Sequence, residues 1–219
     1  MPIKLFWIFV EESAGKIKNC IRIMTDKSKV SIVLASSSPR RKQLLLKAGY
    51  KFIVVEPDVD ESAFDTEKIE PLRYAKILAL AKANSVAKKF PQDIVIGADT
   101  IVDFKGQIIG KPADAKDAER IVRKLFSASH KVITAIAIVR LSDNMKIVEA
   151  DTTIVHPKKM TETEIAEHIK GMSWLNKAGA YAIQETGDKF VDRIEGSLTN
   201  VMGMPMELLE KLLAGIVNK

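Results

Sequence analysis

The sequence predicts a single α/β domain built on a mixed sheet, and three observations carry that reading. A short β-branched run, Val30 to Ala35, is followed at once by Ser38 and Pro39, the chemistry of a helix start. A long alanine-rich segment, Pro71 to Lys89, has helical composition and precedes a second strand-like run, Ile94 to Val102. Two further extended runs, Lys131 to Leu141 and Met145 to Val155, are joined by the turn Ser142-Asp143-Asn144. Strands and helices alternate early and strands pair late, which is the pattern of a mixed sheet flanked by helices.

Residues 1–28 read as an N-terminal extension and residues 29–219 as one domain, a size within the usual single-domain range. The apolar run Leu5 to Val10 is too short to span a membrane. It is followed by Glu11 and Glu12 rather than a small-residue cleavage site, so a signal peptide is not expected. After the first strand, Ser38 is the expected N-cap, Leu44, Leu45 and Ala48 give an apolar helix face, and Gly49 sits where a C-terminal cap belongs. Phe52 to Val55 predicts a second strand, and a polar loop with Asp58, Asp60 and Glu61 follows. Phe104-Lys105-Gly106 predicts a hairpin returning through Ile108 and Ile109, and Ala113 to Phe126 an amphipathic helix. Thr161 and Glu164 form a capping-box pair for a helix ending near Gly171. Short strands around Ala182 and Val191 and a closing helix from Met206 to Ala214 complete the order.

Charge and composition narrow the function. Lys and Arg total 34 against 28 acids, a net charge of +6 that suits an anionic partner. The basic residues are dispersed, the densest cluster being Arg40-Arg41-Lys42, and aromatics are 6% of the chain. Neither a basic nucleic-acid arm nor a stacking platform for single strands is indicated. Cys20 is the one cysteine, which excludes an intrachain disulfide and fits a reducing cytoplasm. His130, His156 and His168 lack zinc-hydrolase spacing, and neither a Walker loop nor a Gly-x-Ser-x-Gly elbow occurs.

Four polar features stand out. Ser36-Ser37-Ser38-Pro39-Arg40-Arg41 lies at a strand-to-helix junction, where free backbone N–H groups can receive an anion. Two arginines in a first helical turn oppose the helix dipole, a conflict that a bound phosphate relieves. The alternative is an ordinary N-cap followed by two solvated arginines. Asp99 interrupts the apolar run Gly97-Ala98-Asp99-Thr100-Ile101-Val102, so it must be paired, solvated by a cleft or bound to metal, unless backbone amides satisfy it. Lys82 emerges from an apolar helix stripe between Leu78 and Val86, either into a site or snorkelling to water, and Lys111 is fixed between Gly110 and Pro112. The carboxylates of Asp58, Asp60 and Glu61 either hold a magnesium or manganese ion or form a solvated loop.

Taken in order, Leu34-Ala35-Ser36-x-Ser38-Pro39-Arg40-Arg41, Gly97-Ala98-Asp99-Thr100, Gly110-Lys111-Pro112, Lys177-Ala178-Gly179-Ala180-Tyr181-x-Ile183-Gln184, Gly196 to Asn200-Val201 and Gly203-Met204-Pro205 resemble the Maf proteins from about Val30 to near the end. The resemblance implies an elongated central sheet, a cleft between two lobes and a fold related to the inosine triphosphate pyrophosphatases. It also implies metal-dependent hydrolysis between the α and β phosphates of a nucleoside triphosphate, with Asp99 as proton acceptor. Ser36, Arg41, Glu61, Lys82 and Lys111 match other polar cleft positions, with Glu61 and Asp99 the candidate ligands of Mg2+ or Mn2+. Arg40, Thr100 and Gln184 match positions associated with substrate choice, in the pattern of the subgroup acting on dTTP and UTP rather than 7-methyl-GTP. A homodimer in the cytoplasm, without stable nucleic-acid or membrane binding, is implied as well. The family's link to septum formation makes a non-enzymatic regulator the alternative from another class, with 7-methyl-GTP or non-canonical purine nucleotides as alternative substrates. Asn176, Ala182 and Leu198 replace the family's usual aspartate, glycine and tyrosine, and the segment from Lys170 to Leu175 lacks its usual Gly-Glu-Pro-like loop. None of these departures touches the phosphate-handling set.

Overall fold

The computed structural model describes residues 31–64, 69–172, 174–175, 177–181 and 190–217. The extension, Asn176, Ala182 and Gln184 lie outside the described residues. Strand β1 (Ile32–Ala35) leads into helix α1 (Pro39–Lys47), and β2 (Phe52–Val55) into a 3-10 turn at Glu61–Ala63. Helix α2 (Pro71–Ala87) precedes the hairpin of β3 (Ile94–Phe104) and β4 (Gln107–Ile109). Helix α3 (Ala115–Leu125) is followed by the paired strands β5 (His130–Arg140) and β6 (Met145–Pro157). Helix α4 (Glu162–Lys170), strand β7 (Val191–Glu195), the short α5 (Leu198–Val201) and α6 (Met206–Val217) close the described chain.

The strands form one mixed seven-stranded sheet in the order β2-β1-β3-β5-β6-β7, with β4 hydrogen-bonded to β3 off this path. The pairs β1–β2 and β1–β3 are parallel, and the remaining pairs are antiparallel. The expected mixed α/β fold is therefore present, with the parallel part at the β2 edge. No helix among the described residues is long and apolar enough to cross a membrane.

Period-two alternation along β3 organises the core. Val95 and Ile101 pack with α2 residues Leu78, Ala79 and Ala83 on one face. Ile94, Ile96 and Ala98 pack with α1 and α6 on the other, against Leu44, Leu45 and Leu209. Burying a leucine such as Leu45 contributes about 1.5–3 kcal/mol, which pins α1 to the sheet. Further along the same face, Val102 and Phe104 join a third cluster with α3, α4, Tyr181 and Phe190.

Local chemistry follows the sequence in most places. Gly49 has φ 80° just beyond α1, the left-handed conformation expected of a C-terminal cap. Asn144 takes φ 55° in the turn before β6, and the Thr161–Glu164 capping box is complete. Two expectations are corrected. Ser38 occupies the N-cap of α1 but its side chain makes no capping bond. Helix α3 starts two residues later than expected, because Asp114 caps the N–H of Asp117.

Candidate active site

The parallel strands end before their neighbour does. Ala35, the last residue of β1, lies opposite Val55 on one side and Gly97 on the other. Strand β3 runs on to Phe104, so beyond Gly97 it has no β1 beside it. A cleft of about 1240 Å³ opens there, lined by Asp99, Thr100 and Ile101 from β3 and by the Ser36–Arg41 segment. It lies at the carboxyl ends of the parallel strands, where open α/β sheets place their ligands. Lys111, Lys177 and Tyr181 line it as well.

On the α2 face, Lys82 meets Asp99. Its Nζ lies 2.6 Å from Asp99 Oδ1 and 2.7 Å from Glu61 Oε1. Lys82 is 9% exposed and Asp99 6%, so this pair is nearly buried, with the half-exposed Glu61 at its edge. Glycine makes it possible. A Cβ on Gly97 would stand 2.4 Å from the Ala79 carbonyl oxygen and 2.6 Å from the Ala83 nitrogen. Only a residue without a side chain lets α2 approach β3 this closely, and that approach carries Lys82 onto Asp99, two residues along the same face. Lys82 therefore neither snorkels nor stands alone, and Asp99 is satisfied by an ammonium rather than by backbone amides. Burial alone would raise the Glu61 carboxyl, but Lys82, Lys111 and Arg41 together hold it below the usual carboxylate range.

On the other face of β3 the cation is Arg41, and its partners are neutral. Nε donates to the Gly203 carbonyl at 2.8 Å, Nη1 to Ser36 Oγ at 3.2 Å and Nη2 to Thr100 Oγ1 at 3.0 Å. A guanidinium has five N–H groups, so two remain without a partner among the described residues. Burial lowers the guanidinium from its ordinary value and Asp99 draws it back up, but an arginine stays charged in either case. A forked cation held by hydroxyls and a carbonyl keeps its charge available to an anion in the cleft.

The sequence-predicted residues therefore meet in one place. Ser36, Arg40, Arg41, Glu61, Lys82, Asp99, Thr100 and Lys111 all line the cleft. Gln184 lies outside the described residues. Of the carboxylates of Asp58, Asp60 and Glu61 only that of Glu61 lines the cleft; Asp60 instead accepts from the N–H and hydroxyl of Ser62, a local turn. Sequence reasoning passed over Glu56, Tyr74 and Lys177, which also line the cleft. Lys177 opens the quoted Lys-Ala-Gly-Ala-Tyr motif, a signal that was available, whereas Glu56 and Tyr74 carry no motif.

Comparison with known proteins accords with this geometry. Residues 31–216 match the family described as Maf-like protein. The chain belongs to the Maf-like family. It is 44% identical over 185 residues to a protein of Elusimicrobium minutum named dTTP/UTP pyrophosphatase, covering 84% of this chain and 97% of that one. It is 45% identical over 176 residues to a protein of the same name from Citrifermentans bemidjiense, covering 80% and 90%. Among solved structures, the Staphylococcus aureus Ham1 protein superposes with a TM-score of 0.50 at 16% identity, over 84% of this chain and 98% of that one. That last likeness is one of fold.

Proposed function

We propose that this Maf-like chain hydrolyses dTTP and UTP to the nucleoside monophosphate and diphosphate. The observation that carries the reaction is the division of charge about β3. Toward α2, Asp99 and Glu61 share the single ammonium of Lys82, while Arg41, bonded to the neighbouring Thr100, is hydrogen-bonded among the described residues to neutral groups and faces the same cleft. The shared name of the relatives supports the choice of base.

In this reading Arg41 offers its two remaining N–H groups to phosphate oxygens, and Lys111, which also lines the cleft, adds a positive charge. Asp99 accepts a proton from the attacking water. The water oxygen forms the new bond to phosphorus, the bridging P–O bond between the α and β phosphates breaks, and the diphosphate leaves with the electron pair of that bond. Lys82 holds the Asp99 and Glu61 carboxylates at one point.

That arrangement also fits a divalent metal. Glu61 and Asp99 are hard oxygen donors that already converge on a single cation, the Lys82 ammonium. Magnesium is commonly held by one or two carboxylates with substrate phosphates completing its sphere. Mg2+ or Mn2+ held there with the triphosphate would neutralise phosphate charge as a Lewis acid. Arg40, Thr100 and Gln184 are the residues we assign to base choice, in a cytoplasmic homodimer.

Diphosphate release by the purified chain tests the reading, with dTTP, UTP, CTP and 7-methyl-GTP compared in Mg2+, in Mn2+ and after chelation. Turnover of dTTP and UTP that is favoured over the other two and lost on chelation is expected. Equal efficiency on CTP and UTP would remove the base assignment, and no turnover at all would remove the reaction.

A further inference from the structure

Arg41 is held by neutral groups, and two of the residues that supply them, Thr100 and Gly203, are themselves held by two residues outside the cleft lining. Thr134 in β5 and Asn200 in α5 are both 0% exposed. Thr134 lies directly across from Thr100 in the β3–β5 register, and their hydroxyl oxygens are 3.0 Å apart. Thr134 donates its one hydroxyl proton to the Asn200 carbonyl at 2.9 Å. It can then only accept from Thr100, and Thr100 in turn accepts from Arg41 Nη2. Every proton in the relay therefore points one way, from the guanidinium through two hydroxyls to a carbonyl. Such one-way chains polarise each member and strengthen one another.

A second arm ends at the same atom. Arg41 Nε donates to the Gly203 carbonyl, and the Gly203 N–H donates to the Asn200 carbonyl at 2.9 Å. Gly203 sits at φ 105°, in the region that favours glycine. The Asn200 side chain fastens this junction to the sheet. Its Oδ1 accepts from the Thr134 N–H at 3.1 Å, and its Nδ2 donates to the Val132 carbonyl and to Thr153 Oγ1, both at 2.9 Å. All the side-chain polar atoms of Asn200 are thus used in joining α5 to β5 and β6. None is spent on the cleft.

We infer that Thr134 and Asn200 are positioning residues for Arg41, fixing the guanidinium plane so that its two remaining N–H groups meet the triphosphate. The inference rests on the reading of the cleft as a triphosphate site. It also gives Thr100 a definite task, since its hydroxyl is the link between Arg41 and Thr134.

The test is Thr134→Val, which keeps the shape and the Asn200 side-chain bonds but removes the hydroxyl, with Thr134→Ser as the conservative rescue. Steady-state kinetics on UTP are measured for the wild type, for both variants, for Arg41→Ala and for the double variant Arg41→Ala/Thr134→Val, each checked as folded by its thermal transition. Thr134→Val is expected to lower kcat/KM about tenfold, the scale of weakening one hydrogen bond to a charged group. Thr134→Ser should restore the rate to within about twofold, and Thr134→Val should add almost nothing in the Arg41→Ala background. A loss of the same factor in both backgrounds, or no loss in a folded Thr134→Val, overturns the positioning role while leaving the triphosphate reading intact. Absence of turnover in the wild type overturns the triphosphate reading and the positioning role with it. Should Thr134→Val fail to fold, Thr134→Ala, which also removes the hydroxyl and keeps the backbone N–H bonded to Asn200 Oδ1, takes its place in the same cycle with the same two outcomes.

Discussion

Asp99 and Thr100 are neighbours in β3 that face opposite sides of the sheet, and each side holds a cation differently. Toward α2, Lys82 is paired with two carboxylates at 2.6 and 2.7 Å, so its positive charge is more than offset locally. Toward α1, Arg41 is gripped by two hydroxyls and a carbonyl, so the geometry is fixed while the charge remains. An ion cluster holds oxygen atoms in place; a guanidinium bonded to neutral groups can attract an anion. A cleft that binds a polyanion and activates water needs both, and alternation along one strand supplies them from adjacent residues.

The largest way to break the comparison is on the charged side. Asp99→Asn keeps the shape and removes the basicity, and Lys82 retains Glu61 as a partner. A drop in kcat of about 10²–10⁴-fold is expected, the usual contribution of a general base, with the thermal transition little changed. A rate near that of the wild type would end the role assigned to Asp99, and a chain that cannot fold would make it a structural residue.

Next comes the neutral side. Arg41→Ala removes charge-assisted bonds worth about 1.5–3 kcal/mol each, so kcat/KM should fall by about 10- to 150-fold, and Lys111→Ala should follow in the same direction. Lys105 supplies the control: it is exposed in the hairpin turn, with its Nζ 5.4 Å from the Phe104 ring centroid. If Lys105→Ala loses as much activity as the other two, the anion site has been misplaced.

Gly97→Ala would separate the two halves of the charged cluster. The new methyl meets backbone at 2.4 Å, so α2 must shift, at a cost of about 1–3 kcal/mol for overpacking. Stability in urea and kcat should fall together, because the shift draws Lys82 from Asp99. A variant with lowered stability and unchanged kcat would show that the Lys82–Asp99 distance is not what matters.

The smallest effect on activity at neutral pH belongs to His130, behind the far wall, where its Nε2 lies 2.7 Å from the hydroxyl of Tyr181. Burial pushes this imidazole down to about 4 from its ordinary 6.5, with backbone hydrogen bonds at Ala128 and Leu125 only partly offsetting it. Between those values the unfolded chain binds a proton that the folded chain does not. The stability contributed by neutral His130 is therefore complete above about pH 6.5 and is lost as pH falls toward 4. Denaturation midpoints across this range should slope less in a folded His130→Gln variant than in the wild type. Parallel slopes would show that another group governs acid unfolding.

Much of this was legible in the chain because it rests on local rules. Strand alternation, the Gly49 cap, the Thr161–Glu164 box and the hairpin at Lys105-Gly106 depend on residues a few positions apart. An aspartate in an apolar strand likewise announces itself, since a carboxylate there must find a partner. The partner's identity was not legible. Nothing in the spacing of Glu61, Lys82 and Asp99 says that one ammonium joins them; that depends on how closely α2 settles on Gly97. Arg41 could be read as a phosphate ligand, but not as the start of a relay through Thr100 and Thr134 to Asn200, because the bonds span 59, 34 and 66 residues. By itself the sequence determined the alternation of elements and the kinds of groups available. Tertiary structure decided which cation meets carboxylates and which meets neutral groups, because that depends on contacts only the packed sheet brings within hydrogen-bond reach.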